Sequence, residues 1–322
     1  MSLIGSARQR DCPVCGESAD TASLFLERSL DETRLTKDSF SSRKIPEFMS
    51  WQLVRCGRCA TAFASEAPAP KALAEAYHQA DYGSAEEAGY AASVYRRTLE
   101  PFLKGLKRRG LALEIGTGTG VFLTQLDQLG FREIVGIEPS PAAIAAAAPE
   151  IKSCIREGIF TGDEFPAESV SFICCFQTME HVPDPRLVVE AAFRMLEPGG
   201  MLALITHDYT AFINRLLGRR SPIIDIEHLQ LFCPTSLRYL VTAAGYVEPA
   251  MTSIRNVYPL RYWLGLLPIP MPVKRATMGA ARVLGLDRLP VGFDVGNLLT
   301  VAWKPVAGSD ILPDPGGTGL QA

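Results

Sequence analysis

The chain has no uninterrupted apolar run near the ~18 residues that a membrane-spanning helix needs. It has no excess of basic charge: 32 Lys and Arg face 35 Asp and Glu, a formal net charge of -3. Nucleic-acid binders usually carry a basic surplus, so bulk nucleic-acid binding is not expected. Met1 to Asp11 holds no long apolar stretch, so no signal peptide is expected, and the cytoplasm is the default location. Histidine is scarce, at 4 in 322 residues. What is present is a composition built for burial, 47% hydrophobic and 21% charged. That excludes a disordered or fibrous chain, and the length suits one large α/β domain with an appendage.

Eight cysteines are present, and four of them are paired by spacing. Cys12-Pro13-Val14-Cys15 and Cys56-Gly57-Arg58-Cys59 are two Cys-x-x-Cys units. In a reducing compartment such units read as a zinc site. A two-residue spacer points both thiolates of a knuckle at one ion, and two knuckles complete a tetrahedron. Four thiolates make a closed site, so the zinc is expected to be structural. Cys174 and Cys175 lie in an apolar strand and read as core.

Organisation follows from breaks in pattern. Residues 1–66 carry the cysteines, and Trp51 to Arg55 alternates like a strand entering the second knuckle. Ala67-Pro68-Ala69-Pro70 interrupts the chain, and 67–100 reads as a helical linker. From 101 to 305 strands alternate with helices, which requires a mostly parallel sheet covered on both faces. An apolar insertion, 255–292, interrupts the alternation before the last strand and is placed to cap an acceptor site. The tail, 306–322, is rich in Gly and Pro and is expected to be disordered.

The loop Glu114-Ile115-Gly116-Thr117-Gly118-Thr119-Gly120 follows a strand and opens a helix. Glycines there let the backbone approach a ligand. Val121 stands where a dinucleotide fingerprint has its third glycine, and the Glu114 carboxylate would repel a pyrophosphate. Both disfavour an NAD-dependent oxidoreductase. An ammonium-bearing ligand suits Glu114 better. Glu138 ends the second strand, where an acid accepts hydrogen bonds from ribose hydroxyls.

Residues 111–206 resemble a class I S-adenosylmethionine-dependent methyltransferase. The matching pieces are Leu-Ala-Leu-Glu-Ile-Gly-Thr-Gly-Thr-Gly, Val-Gly-Ile-Glu-Pro-Ser, Phe-Gln-Thr-Met-Glu-His-Val-Pro-Asp-Pro and Met-Leu-Glu-Pro-Gly-Gly-Met-Leu-Ala-Leu-Ile-Thr. The resemblance implies a seven-stranded, mostly parallel, Rossmann-like sheet beside a small zinc-ribbon-like domain. It implies Glu114, Gly116, Gly118, Gly120 and Glu138 at the cofactor, Asp163 near its adenine, and Gln177 facing its methionine end or the acceptor. The whole chain is also similar to bacterial methyltransferases of sugar and surface-glycan pathways, whose late Glu-His pair would be Glu227-His228. Met179-Glu180-His181 resembles the ubiquinone-type O-methyltransferases, which hold a divalent ion with acids; Gln177 replaces one acid, so no catalytic metal is expected.

The sulfonium of S-adenosylmethionine is already activated, so the acceptor needs positioning and a base. His181 and His228 are the candidates, with Glu227 orienting His228; His207 is a third. The sequence points to methylation of a small molecule, a sugar or sugar-containing metabolite such as a nucleotide sugar or lipid-linked glycan. The alternative acceptor is a quinone-like or aromatic metabolite. An alternative of another class is a zinc-dependent nucleic-acid or protein binding module. Aromatic residues flanked by Lys274 and Arg275 make the insertion a candidate for peripheral membrane contact.

Overall fold

The computed structural model describes residues 4–40, 47–79, 85–247, 249–267 and 269–306. The tail expectation for 306–322 therefore falls almost wholly outside the described residues. Five short strands open the chain: β1 (Arg8–Gln9), β2 (Ser23–Leu26), β3 (Leu53–Arg55), β4 (Ala62–Ala64) and β5 (Glu66–Ala67). Helices α1 (Pro70–His78) and α2 (Ala85–Leu103) lead to the alternating region.

That region begins β6 (Leu111–Ile115), α3 (Val121–Gln128), β7 (Glu133–Glu138), α4 (Pro141–Ala145), α5 (Pro149–Lys152) and β8 (Ile155–Glu157). It continues β9 (Val170–Phe176), α6 (Pro185–Met195), β10 (Leu196–His207), α7 (Phe212–Leu217), β11 (Gln230–Leu231) and α8 (Pro234–Ala243). β12 (Ala250–Pro259), α9 (Leu260–Leu266), α10 (Met271–Val283) and β13 (Pro290–Trp303) complete it.

Seven strands form one sheet in the order β12-β13-β10-β9-β6-β7-β8. β8, β7, β6, β9 and β10 run parallel, and β13 is antiparallel to both its neighbours. Every residue of β9 is buried, as a strand covered on both faces must be. The amphipathic α6 starts where Asp184 accepts from the amides of Arg186 and Leu187, with Pro185 in its first turn. Chain order reverses between β6 and β9, so the loops after them open one crevice, where ligands of such sheets bind.

The second sheet joins distant segments. Its order is β11-β4-β3-β2, all antiparallel, so its edge strand comes from well beyond the cysteine region. Trp51, Leu53 and Phe40 pack in one core with Ile223, Ile226 and Leu231. Cys12, Val14 and Phe63 pack with Phe232, Leu237 and Leu240. Residues on both sides of position 66 thus share their interior. Phe63 is fully buried, and its truncation to Ala would cost about 3–5 kcal/mol.

The insertion differs in extent from its sequence reading. β12 and β13 stay paired as far out as Pro259 and Pro290, across a register shift between Ile254 and Arg255. The α9–α10 helical pair sits at the end of this two-stranded arm. Pro270 and Pro272 fall at the entry of α10, where a missing N–H costs nothing. No helix among the described residues is long and apolar enough to cross a membrane.

Candidate active site

Gly116, Gly118 and Gly120 all hold positive φ, at 74°, 58° and 69°. A Cβ on Gly116 would lie 2.4 Å from Thr178 Oγ1, and one on Gly120 would lie 2.5 Å from Ile151. At Gly118 a Cβ would meet nothing within 4 Å. Gly118 therefore faces open space while Gly120 is held by packing. The Gly118 amide donates to Glu138 Oε2 at 2.7 Å, and the Ser140 amide donates to Oε1 at 2.9 Å. Burial pushes the Glu138 carboxyl above its ordinary range, and these two amides oppose that shift. Glu114 is buried at the end of β6 and accepts from the Thr117 hydroxyl.

These groups line a cavity of about 690 Å³, large enough for a nucleoside cofactor together with an acceptor. Glu114, Gly116, Gly118, Glu138 and Gln177 are on its wall. Gly120 and Asp163 are not. Gly120 is turned into the packing against Ile151 and Ile155, and Asp163 is exposed on a loop whose neighbour Glu164 accepts from Thr161 and Gly162. Ile159 lines the cavity on that side. Gln177 adopts φ 53°, and its buried Nε2 has no hydrogen-bond partner among the described residues. A buried amide left so is a donor that a ligand can satisfy.

Three of the four histidines converge at the other end. The His228 ring is 4.9 Å from that of His181 and 5.4 Å from that of His207. His228 Nδ1 lies 2.8 Å from the Ile223 carbonyl, which can only accept. Nδ1 therefore carries a proton, and in the neutral ring Nε2 is the nitrogen left to accept. His181 Nδ1 is engaged by Tyr77 Oη at 3.0 Å and by the Glu227 carbonyl at 3.2 Å. The Glu227 carboxylate is 3.9 Å from His181 Nδ1, so the structure brings it to His181 as well as placing it beside His228 in the chain. His207 Nδ1 pairs with Asn297 Oδ1 at 2.8 Å, and burial lowers its pKa to about 3. That imidazole stays neutral.

Sequence reasoning missed several wall residues. Asn256 and Asn297 come from adjacent strands β12 and β13, and Asp225 and Tyr258 also line the cavity. Asn256 is buried, with Oδ1 lacking a partner among the described residues. Two buried asparagines on neighbouring strands were the available signal.

Two groups have metal-ligand chemistry. Cys12, Cys15, Cys56 and Cys59 bring their sulfurs within 4.8 Å of one another. Cys12 and Cys59 are 3.4 Å apart, as are Cys15 and Cys56. A tetrahedral zinc with bonds of ~2.3 Å has S···S edges of ~3.8 Å, so the donor set fits. The hydrogen bond from Cys12 lowers the Cys59 pKa to about 5, and the same bond pushes Cys12 up. One proton is shared where a dication would hold both thiolates. The second group is His181, Glu227 and His228, again within 4.8 Å, though the Nδ1 atoms of both rings already bond within the chain. Cys174 and Cys175 sit in the core of β9, as their apolar setting implies.

Residues 88–247 match the sequence profile of a methyltransferase domain family. The chain is 24% identical over 196 residues to a ubiquinone biosynthesis O-methyltransferase of Psychrobacter arcticus, covering 55% of this chain and 73% of that one. It is 30% identical over 127 residues to the enzyme of the same name from Pseudomonas fluorescens, covering 35% of this chain and 53% of that one. A solved S-adenosylmethionine-dependent methyltransferase from Archaeoglobus fulgidus is 16% identical with a TM-score of 0.46, covering 66% of this chain and 94% of that one. Domain match, relatives and sheet order agree, and the chain is a class I S-adenosylmethionine-dependent methyltransferase.

Proposed function

We propose that the chain O-methylates an aromatic, quinone-like small molecule, with His228 as the base for the acceptor hydroxyl. The carrying observation is the acceptor side of the cavity. Tyr95, Tyr258, Tyr262, Trp263 and Phe293 put aromatic faces there, while His181, His207 and His228 gather at one end. A planar ring with one hydroxyl suits such a wall, whereas a polyol would need partners for every hydroxyl. The relatives, named as ubiquinone biosynthesis O-methyltransferases, favour this acceptor over the sugar or glycan expected from the sequence.

The cofactor, when bound, supplies an electrophilic methyl group for in-line transfer to the acceptor oxygen. Glu138 takes the ribose hydroxyls on the lone pairs its two amide bonds leave over. Glu114 would take the ammonium of the methionine part, and the Gln177 amide would donate to that same part. His228 Nε2 accepts the hydroxyl proton, and its Nδ1–H bond to Ile223 fixes the tautomer that can do so. His181, held by Tyr77 and Glu227, orients the acceptor. The four cysteines hold a structural zinc.

The α9–α10 pair serves as an acceptor cap that meets an anionic lipid surface. Of fourteen large apolar side chains exposed among the described residues, ten lie on 212–216 and 267–293. Arg215, Arg219, Arg220, Arg275, Arg282 and Arg288 stand exposed among them, against two acids, half-buried Asp287 and exposed Asp294. Leu217, Leu266 and Leu267 from the same segments line the cavity, so an apolar acceptor would enter from the lipid side.

The test is methyl transfer from labelled S-adenosylmethionine to a panel of catechols and hydroquinones beside a panel of nucleotide sugars. Turnover with ring hydroxyls alone supports the reading. Turnover with nucleotide sugars alone overturns it.

A further inference from the structure

Glu227 and His228 stand just before β11, and β11 does not belong to the seven-stranded sheet. It pairs with β4, through Gln230 with Phe63 and Leu231 with Ala62. β4 and β3 are the two arms of the second cysteine knuckle: Arg55 pairs with Ala62, and the Cys56 amide donates to the Thr61 carbonyl at 2.9 Å. The knuckle is thus the turn of a hairpin whose outer edge carries the acceptor-side loop.

Side chains and backbone from the first 66 residues hold that loop by its carbonyls. The Trp51 indole donates to the Ile226 carbonyl at 3.0 Å. The Ala64 amide donates to the Leu229 carbonyl at 2.8 Å. Arg10, two residues before Cys12, donates to the Leu229 carbonyl and to Gln230 Oε1, and also to Pro183 and Ala64. Tyr209 donates to the carbonyl of Ala60, the residue after Cys59. Buried bonds of this kind lose their full value when the partner moves away.

We propose that the two cysteine knuckles clamp the segment 226–231, so that metal held by Cys12, Cys15, Cys56 and Cys59 fixes the place of Glu227 and His228. Arg10 and Trp51 are positioning residues for proton transfer on the acceptor side. Metal occupancy then sets turnover and leaves cofactor affinity alone, because Gly118 and Glu138 lie on the other sheet. This rests on the reading of His228 as the acceptor base.

The experiment uses the full chain with its zinc. Trp51→Phe keeps an aromatic ring but removes the indole N–H together with part of the buried ring volume; Arg10→Lys keeps the charge, loses the forked donor and leaves the Trp51 packing intact. Amide hydrogen exchange, S-adenosylhomocysteine affinity and kcat are measured on each. Exchange in 226–231 is expected to quicken roughly 5–10-fold, the value of one buried hydrogen bond, with kcat falling in step. Cofactor affinity stays within about twofold. Zinc removal by a chelator should unmask the same segment, and zinc alone should restore its protection. Unchanged exchange in 226–231 overturns the proposal. So does faster exchange across the seven-stranded sheet with loss of cofactor affinity, which marks a merely structural role. If chelation unfolds the chain, Trp51→Phe decides. The exchange readout needs no acceptor: a fully active His228→Ala would sink the base assignment and leave the clamp standing.

Discussion

The Gly118 amide donates to the Glu138 carboxylate at 2.7 Å, tying the loop after β6 to the end of β7. One bond thus fixes the spacing between the two loops that carry Gly118 and Glu138. Glu138→Ala should weaken S-adenosylhomocysteine binding by roughly 10–100-fold, the loss of two charge-assisted bonds. Titration calorimetry reads this directly. Gly118→Val should abolish binding, because it fills open cavity at φ 58°. NAD should show no comparable affinity.

His228→Ala should lower kcat by roughly 10²-fold with cofactor affinity unchanged. His207→Ala should cost much less, since Asn297 holds that ring on the strand side. Steady-state kinetics on the identified acceptor separate the two. Equal turnover by wild type and His228→Ala would remove the base assignment.

Glu180 gives a pH dependence. It is fully buried, accepts from the His207 amide at 2.6 Å, and burial raises its pKa to about 7. The folded state therefore holds the proton more tightly than the unfolded chain, where a glutamate titrates near ~4.3. Its contribution to stability is full below that value and is lost as pH rises through about 7. Glu180→Gln should leave the melting temperature near wild type at low pH. At pH above 7 the variant should melt higher, by roughly 2–4 °C for each kcal/mol recovered. Thermal melts across that window check the sign.

Elemental analysis should find about one zinc per chain, as a single four-thiolate site requires. Cys59→Ser should lose it. A second equivalent that survives in Cys59→Ser would place an ion on His181, Glu227 and His228 and displace the base mechanism.

Vesicle co-sedimentation checks the lipid contact. Binding should rise with the fraction of anionic lipid and fall with salt. A Phe212→Ser, Leu216→Ser double variant should reduce it and keep cofactor affinity, since both side chains point to solvent. Equal binding to neutral vesicles would argue against the arginines.

The cofactor half of the site was legible because its signals are local. β6, β7 and β9 are buried on both faces and read as continuous apolar runs, and the glycine loop lies between two of them. Glu114, Gly118 and Glu138 then fall on the cavity wall by position alone. Asp163 is not on the cavity wall, whereas Ile159 lines that side. Of the acceptor half the sequence offered His181, His207, Glu227 and His228, but not what holds them, because long-range pairing builds the rest. Nothing in the run Gln230–Leu231 announces a partner near residue 63, and Trp51 shows no sign of bonding Ile226. Arg10 carried no sequence sign of its partners, yet it is half-buried and donates to three segments, at Ala64, Pro183 and Leu229–Gln230. The arm at β12–β13 was taken for an interruption since its prolines sit at helix entries, which composition alone cannot place.

Pro259 and Pro290 are register partners, and the Leu260 amide returns to the Leu289 carbonyl at 2.9 Å. The thirty-odd residues between them leave and rejoin the sheet at a single point. A segment with coincident ends is a cassette. Shortening it, lengthening it or exchanging it for another changes a loop-closure entropy that grows only with the logarithm of length, by ~0.6 kcal/mol per doubling. The tip of the arm can therefore be exchanged while the parallel strands that carry Glu114 and Glu138 keep their register.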